Sequence, residues 1–195
     1  ESRIAGEIHK FLLSGSLYRG VKPVMWSCVE KTALAEAEVE YKEHKSLTVW
    51  VKFPIVTDSA EFKDASIVIW TTTPWTMPSN RAIAVGPDIA YAVYQVAEVS
   101  EGSKSKVGDK IVIANKLVAD VEKNAHITLT KVSKDYSGKE FYEAIRGNNK
   151  YPVCKHPLHA AHDGYKFDVK VLEGSYVTDD SGTGFVHIAP AHGEE

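Results

Sequence analysis

A string of hydroxyl side chains in residues 70–80 has the residue types and spacing for chemistry on a sugar or an ester. Three consecutive threonines follow the apolar run 66–70, whose β-branched residues predict a buried strand. Pro74 has no backbone N–H and favours an extended conformation in the residue before it, so the strand is expected to end in a stiff turn. Because each hydroxyl both donates and accepts hydrogen bonds, the turn suits a sugar or an ester better than a metal ion or a phosphate.

Two more polar side chains, Thr76 and Asn80, extend this turn beyond Pro74. Three threonines alone would be typical of an ordinary threonine-rich strand followed by a proline turn. The whole string, Trp-Thr-Thr-Thr-Pro-Trp-Thr-Met-Pro-Ser-Asn, is too specific for that interpretation.

This string resembles the threonine-rich motif in the editing domain of isoleucyl-tRNA synthetases. A second stretch, residues 182–193 (Gly-Thr-Gly-Phe-Val-His-Ile-Ala-Pro-Ala-His-Gly), is similar to the glycine- and histidine-containing motif of the same domain. Residues 22–27 and 32–41 resemble its N-terminal lead-in, so the resemblance covers nearly the whole chain. Valyl and leucyl relatives usually carry arginine where Thr73 stands, which favours the isoleucyl branch.

The resemblance implies a β-barrel editing domain inserted into a Rossmann-type catalytic domain. Residues 47–55 alternate apolar and polar side chains, which independently predicts a half-buried strand. We expect a mainly β protein, a closed or nearly closed β-barrel with a few peripheral helices. Residues 1–20 would form an N-terminal helix and lead-in segment, and residues 21–195 a single barrel domain. Further strands are predicted at 66–71, 81–85, 90–97, 110–115, 127–133, 167–172 and 184–188, and helices at 116–124 and 138–145.

The resemblance also implies which residues are catalytic. Thr71, Thr72 and Thr73 are expected to contact the terminal adenosine and the ester. His187 is expected to lie beside the aminoacyl side chain and limit its size, the alternative being a structural histidine of the core. Histidine can act as a general base near neutral pH, but the sequence places no carboxylate to orient this one, so we expect a positioning and steric role.

Other residues are expected to bind the substrate. Thr76 and Asn80 would help to shape the pocket, with turn capping as the alternative for Thr76. Trp75 is a candidate pocket wall, with core packing as its main alternative. In the family, acidic residues follow the glycine that ends the second motif, and one binds the substrate's ammonium group. Glu194 and Glu195 are the acids present, although the aligned pairing acid falls one residue further along.

Proofreading is the function that the resemblance implies. Valine lacks one methylene of isoleucine, a difference worth only about 1–3 kcal/mol in a hydrophobic pocket, and isoleucyl-tRNA synthetase is itself the standard example of that magnitude. We therefore expect hydrolysis of valyl-tRNA(Ile) and valyl-adenylate. The expected partners are the 3′ end of tRNA(Ile) carrying valine, valyl-adenylate and the remainder of the synthetase chain, with no membrane, metal or cofactor, and the protein as a monomer. The alternatives are a non-catalytic module that binds the aminoacylated tRNA end and a free-standing deacylase.

Length and composition fit a single soluble domain, and the cysteines favour a cytoplasmic protein. The net charge of −3 argues against strong autonomous binding to nucleic acid. Cys28 and Cys154 show no disulfide framework, which favours a reducing compartment. The sequence lacks a His-Ile-Gly-His run, and residues 131–135 only superficially resemble the lysine signature of a synthetase. We therefore expect the ligase and ATP-binding site to lie elsewhere in the parent enzyme.

A histidine cluster offers a competing metal-site interpretation. Cys154, His156, His159 and His162 include ligand types that zinc prefers. Pro157 interrupts the run, and no second ligand pair has the usual spacing, so a solvent-facing polar segment is the stronger expectation. The Gly-Thr-Gly that opens the second motif lacks the Lys-Ser/Thr ending of a phosphate-binding loop.

Overall fold

The structure is a computed structural model that describes residues 1–21 and 24–192, and the chain divides into two compact units. The first unit comprises Glu1–Glu43, and the second begins at His44. The predicted boundary at residue 20 stays a prediction. The elements of the first unit are helix α1 (Ser2–Leu13), strands β1 (Trp26–Ser27) and β2 (Thr32–Ala33), which pair antiparallel, and a 3₁₀ helix (Glu36–Glu38).

The second unit is mainly β, as expected. It contains two α-helices, α2 (Val118–Ala125) and α3 (Gly138–Arg146), close to the predicted positions. Three 3₁₀ helices occupy Pro74–Ser79, Asn115–Leu117 and Asp163–Tyr165. Its strands are β3 (Val49–Val56), β4 (Ala65–Thr71), β5 (Ala82–Val85), β6 (Ala90–Val99), β7 (Lys110–Ala114), β8 (Ile127–Lys131), β9 (Tyr136–Ser137), β10 (Val153–Lys155), β11 (Asp168–Glu173) and β12 (Phe185–Ile188).

The ten strands form one open mixed sheet, so the prediction of a closed or nearly closed barrel is wrong. Their order is β12-β5-β11-β10-β3-β4-β7-β6-β8, with β9 also pairing to β6. Neighbours are antiparallel except for the parallel pairs β5–β11 and β4–β7. Within the described residues no ladder joins the edge strand β12 to the far edge at β8 and β9. Alternation within strands predicts which face is buried, but it does not predict whether the two edges meet.

The alternation predicted for β3 is confirmed in its second half. Phe53 and Ile55 are buried while Lys52 and Pro54 are exposed. Leu47 precedes the strand and is 87% exposed, so its predicted inward position is wrong. The main core lies between β3, β4, β5, β6, β11 and α3, and it includes Phe141 at 0% exposure.

The chain leading into β12 is held against the opposite part of the sheet. The Ala114 backbone N–H, at the end of β7, donates to the Thr183 carbonyl at 2.9 Å. The Tyr91 hydroxyl donates to the Gly184 carbonyl. Gly184 has φ +79°, and a Cβ at this position would lie 2.5 Å from the Ala114 Cβ, so only glycine fits this close approach. These contacts bring β12 close to the end of β4.

Candidate active site

A cleft of about 340 Å³ lies where β4 and β12 come together. Its walls include the predicted residues Thr71, Thr72, Thr73, Thr76 and His187. β4 ends at Thr71, and the 3₁₀ helix that begins at Pro74 carries Thr76 on its first turn. The sequence predicted a proline-stiffened turn here, and the structure shows that the turn continues as a short helix before Asn80.

Three of the threonine hydroxyls form one hydrogen-bonded chain. Thr71 Oγ1 accepts the Thr73 backbone N–H at 3.1 Å and lies 3.1 Å from Thr73 Oγ1. Thr76 Oγ1 lies 3.4 Å from Thr73 Oγ1 and donates to the Thr73 carbonyl at 2.7 Å. Thr71 and Thr76 are buried, whereas Thr72 is exposed along the cleft. Hydrogen bonds among Thr71, Thr73 and Thr76 therefore fix the positions of these three hydroxyls in the turn.

His187 on β12 is held by this turn through both ring nitrogens. Its Nε2 lies 2.8 Å from Thr76 Oγ1, and its Nδ1 lies 2.9 Å from Asn80 Nδ2. Asn80 Nδ2 also donates to the Ala82 carbonyl at 2.9 Å, which fixes the orientation of the amide. Because an amide nitrogen only donates, His187 Nδ1 must accept, and the ring proton lies on Nε2. Nε2–H then donates to Thr76 Oγ1, whose own proton goes to Thr73.

Asn80→Leu is expected to unfold more easily and to release the His187 ring. Asn80 is 0% exposed, so the substitution leaves the Ala82 carbonyl without this donor at a cost of about 1–3 kcal/mol. Urea unfolding measures the loss, and ¹⁵N NMR of the His187 imidazole reports the lost tautomer constraint. Asn124→Leu, at an exposed position on α2, is the matched control. Equal stability of the two variants would contradict this account of Asn80.

Other predicted site residues lie outside the cleft lining. Trp75 is 71% exposed and does not line the cleft, and its predicted role in binding substrate stays a prediction. Asn80 lies behind His187 and acts on the cleft through that ring. Glu194 and Glu195 fall outside the described residues.

The loop between β11 and β12 contributes lining residues to which the sequence analysis gave no role. Tyr176, Thr178 and Ser181 lie there, and the second motif adds Phe185, Val186 and His192. Thr178 and Ser181 carry hydroxyl groups like those of the threonine string. Their hydroxyls were the sequence feature that could have indicated a place in the site. Among the described lining residues none is Asp, Glu, Lys or Arg. Such a neutral, hydroxyl-rich surface is suited to sugar and ester groups.

The prediction of a solvent-facing polar segment is wrong for Cys154, in β10, and for His156, which follows β10, because both are buried. Cys154 is 0% exposed and His156 is 1% exposed, and burial raises the pKa of the Cys154 thiol. His156 Nδ1 accepts the Leu158 N–H at 3.1 Å, so its Nε2–H donates to the Met77 carbonyl at 3.0 Å. Both ring nitrogens thus have backbone partners. Over residues 1–21 and 24–192, no three His, Cys, Asp or Glu side chains gather in a way that could hold a metal ion.

The stability of the protein is expected to fall below about pH 6.5 because of His156. Burial lowers the pKa of His156, the bond to Met77 partly offsets this, and the Arg81 charge lowers it further. The unfolded chain, with a histidine pKa near ~6.5, therefore takes up a proton before the folded chain does, and stability is lost as the pH falls. Urea unfolding between about pH 7.5 and about pH 5 should show a smaller decline for His156→Phe. His159→Phe is the control, and identical declines in wild type and His156→Phe would contradict the prediction.

Comparisons with known sequences identify the family. The family model described as "tRNA synthetases class I (I, L, M and V)" matches residues 3–146. Isoleucine–tRNA ligase of Rhodopseudomonas palustris is 51% identical over 195 residues, covering 100% of this chain and 19% of the relative. The isoleucine–tRNA ligase of Bradyrhizobium diazoefficiens is 48% identical over 196 residues, with the same two coverages. The chain therefore spans about a fifth of the length of the curated relatives that it matches. In the part of the chain that the structure describes, no helix has the length and apolar content needed to cross a membrane.

Solved structures show a shared fold. The editing domain of P. knowlesi cytosolic leucyl-tRNA synthetase superposes with a TM-score of 0.53 at 13% identity, over 73% of this chain and 58% of that chain. The crystal structure of GlLeuRS-CP1 gives a TM-score of 0.51 at 15% identity, over 72% of this chain and 54% of that chain. These findings confirm the resemblance drawn from the motifs. The chain belongs to the class I tRNA synthetases of the isoleucyl, leucyl, methionyl and valyl group.

Proposed function

We propose that this protein hydrolyses the ester between valine and the terminal adenosine of tRNA(Ile), and that it cleaves valyl-adenylate in the same cleft. The observation that carries the proposal is the set of threonine hydroxyls that, together with His187, lines a cleft of about 340 Å³ with no Asp, Glu, Lys or Arg among its described lining residues. Isoleucine–tRNA ligases match the whole chain, which supports a role in accurate charging of tRNA(Ile). In this proposal the protein acts in the cytoplasm, as a monomeric unit joined to the rest of a synthetase chain.

The chemistry required is the addition of water to an ester carbonyl. The water oxygen bonds to the carbonyl carbon of valine, the bond from that carbon to the ribose oxygen breaks, and a proton from water ends on the ribose oxygen. The hydroxyls of Thr71, Thr72 and Thr73 orient the ester and the water by hydrogen bonds. In the tRNA ester the neighbouring ribose hydroxyl of the substrate relays the proton. In valyl-adenylate the same addition of water breaks the bond from the carbonyl carbon to a phosphate oxygen, and AMP leaves as the anion. Holding water and ester in reacting geometry supplies much of the rate acceleration in such a mechanism.

In this proposal His187 has a steric role: its ring limits the size of the amino-acid side chain that fits the pocket. With Nδ1 accepting from Asn80 and Nε2–H donating to Thr76, each ring nitrogen already has a partner at 2.8–2.9 Å. This arrangement supports a steric role, because the Asn80 bond occupies the Nδ1 lone pair that a general base would need. The ring would then admit the valine side chain and exclude the extra methylene of isoleucine.

Release of labelled amino acid from valyl-tRNA(Ile) and from isoleucyl-tRNA(Ile) tests the proposal. We expect the protein to release valine at least about tenfold faster than isoleucine, as a one-methylene difference allows. Thr72→Ala, at an exposed threonine of the cleft, should slow the release, while Thr130→Ala, at an exposed threonine of β8, should not.

Two other outcomes would overturn the proposal. Binding of valyl-tRNA(Ile) without release would favour the non-catalytic module that needs the rest of the synthetase for hydrolysis. Equal release of both amino acids, unaffected by Thr72→Ala, would remove the threonine cleft from any role in proofreading.

A further inference from the structure

A second histidine, His156, contacts the same 3₁₀ helix as His187. His156 follows β10, is 1% exposed, and does not line the cleft. Its ring stacks on Tyr165 with centroids 4.8 Å apart and planes inclined by 11°. The edge of Phe53 and the ring of Phe167 pack against it, with centroids at 6.4 and 5.2 Å. The imidazole is therefore held in place by three aromatic rings.

The proton on His156 Nε2 points at the 3₁₀ helix that shapes the cleft. It is donated to the Met77 carbonyl at 3.0 Å, and the same carbonyl accepts the Asn80 backbone N–H at 3.1 Å. Met77 follows directly after Thr76, which contacts His187. The Met77 carbonyl thus joins the buried histidine to Asn80 by hydrogen bonds, and Thr76 is the residue that precedes Met77 in the same helix. The Leu158 N–H, donated to His156 Nδ1, fixes the proton on Nε2.

We propose that His156 is a positioning residue for the hydrolytic cleft, fixing through the Met77 carbonyl the helix that carries Thr76 and Asn80. The expected effect of His156 on kcat rests on the proposed function. The expected effect on the position of the His187 ring rests only on the hydrogen bonds. A 3₁₀ helix of six residues has poorer hydrogen-bond geometry than an α-helix, and this one contains Pro78. Such a turn needs support from outside, and His156 provides it.

The positive charge of Arg81 acts on His156. Arg81 lies with its guanidinium 4.7 Å from the centre of the Phe167 ring and donates to the Asn80 carbonyl at 2.7 Å. Tyr165 is the titratable group stacked on His156. Arg81 and His156 therefore each hold one carbonyl of the same turn, at Asn80 and at Met77. A neutral His156 fits beside Arg81 because two cations here would repel each other.

Two variants of His156 separate hydrogen bonding from packing. His156→Phe keeps an aromatic ring against Tyr165 and removes both hydrogen bonds. His156→Gln places an amide nitrogen where Nε2 lies, so the donor to Met77 is kept. Val121→Ala, buried on α2 in the other core cluster, controls for a general loss of stability. If His156→Phe does not fold, His156→Asn takes its place, because it keeps an acceptor for Leu158 without reaching Met77.

The test measures kcat and KM for release of valine from valyl-tRNA(Ile), together with ¹⁵N shifts of the His187 ring. We expect His156→Phe to lower kcat about ten- to a hundredfold with KM changed by less than about threefold, as misplacement of a catalytic turn does. Its His187 shifts should differ from wild type. His156→Gln should recover both quantities, and Val121→Ala should alter neither.

Wild-type kcat together with wild-type His187 shifts in His156→Phe would overturn the inference. An equal loss of kcat in the Phe and Gln variants would also overturn it. The NMR comparison needs no turnover, so it tests the positioning role even if the wild-type protein releases no valine. In that case the proposed function fails, while altered His187 shifts in His156→Phe would still support the inference.

Discussion

Thr73→Arg is expected to abolish the release of valine from valyl-tRNA(Ile) while leaving the fold intact. Thr73 Oγ1 lies 3.1 Å from Thr71 Oγ1 and 3.4 Å from Thr76 Oγ1, inside a cleft of about 340 Å³. In the proposed binding mode the longer arginine would occupy the space of the ester and bring a charge into a lining that has no Asp, Glu, Lys or Arg among its described residues. We expect a loss of more than about a hundredfold in kcat/KM, because the reacting groups can no longer meet in the required geometry.

Two controls accompany the Thr73→Arg variant. Thr73→Ser keeps the hydroxyl and should retain most activity, and Thr130→Arg adds the same charge on exposed β8 without effect. Circular dichroism and thermal unfolding establish that each variant is folded. Wild-type rates in a folded Thr73→Arg protein would show that this position does not contribute to the pocket.

His187→Ala is expected to let the protein release isoleucine as well as valine. In the proposed binding mode, removing the ring opens space beside the aminoacyl side chain, while Asn80 keeps its bond to the Ala82 carbonyl at 2.9 Å. Since one methylene accounts for a discrimination of about 10–200-fold, the ratio of valine to isoleucine release should fall by about tenfold or more. Deacylation of the two tRNA esters, measured side by side, gives this ratio.

The pH dependence of the deacylation rate distinguishes a steric role of His187 from a role as general base. If the ring were a general base, His187→Ala would lose activity toward both esters, and its rate profile would lose one titration near neutral pH. That result would contradict the steric role. His159→Ala, at another partly exposed histidine, should leave both the ratio and the profile unchanged.

The local part of the site could be predicted from the sequence, because it follows from residues that are close together. β4 ends at Thr71, and Pro74 prevents the strand from continuing past Thr73, so the threonine hydroxyls had to share one turn. The orientation of the Asn80 amide could not be predicted from neighbouring residues in the sequence. It depends on the Ala82 carbonyl and on a ring 107 residues away in sequence.

The open sheet and the buried His156 were missed for a related reason. Whether β12 pairs with the opposite edge depends on the curvature of the whole sheet, and the apolar pattern of a single strand does not contain that information. His156 stands between Lys155 and Pro157 in a polar segment, which predicts exposure. Its burial comes from Tyr165 and Phe167, which reach it from residues further along the chain.

The position of β12 also has a consequence for the order in which the protein folds. Thr76 and His187 are 111 residues apart in sequence, and their contact requires closure of a very long loop. Contacts between residues so far apart in sequence form slowly, because closing the loop lowers the conformational entropy of the chain before the contact contributes any stabilisation. The hairpin of β3 and β4, which ends in the threonines, joins neighbouring segments and can form early. A chain that has folded its central strands but has not docked β12 therefore has the threonines of the turn in place without His187 beside them. If His187 limits the size of the amino acid as proposed, the protein can distinguish valine from isoleucine only after β12 has docked.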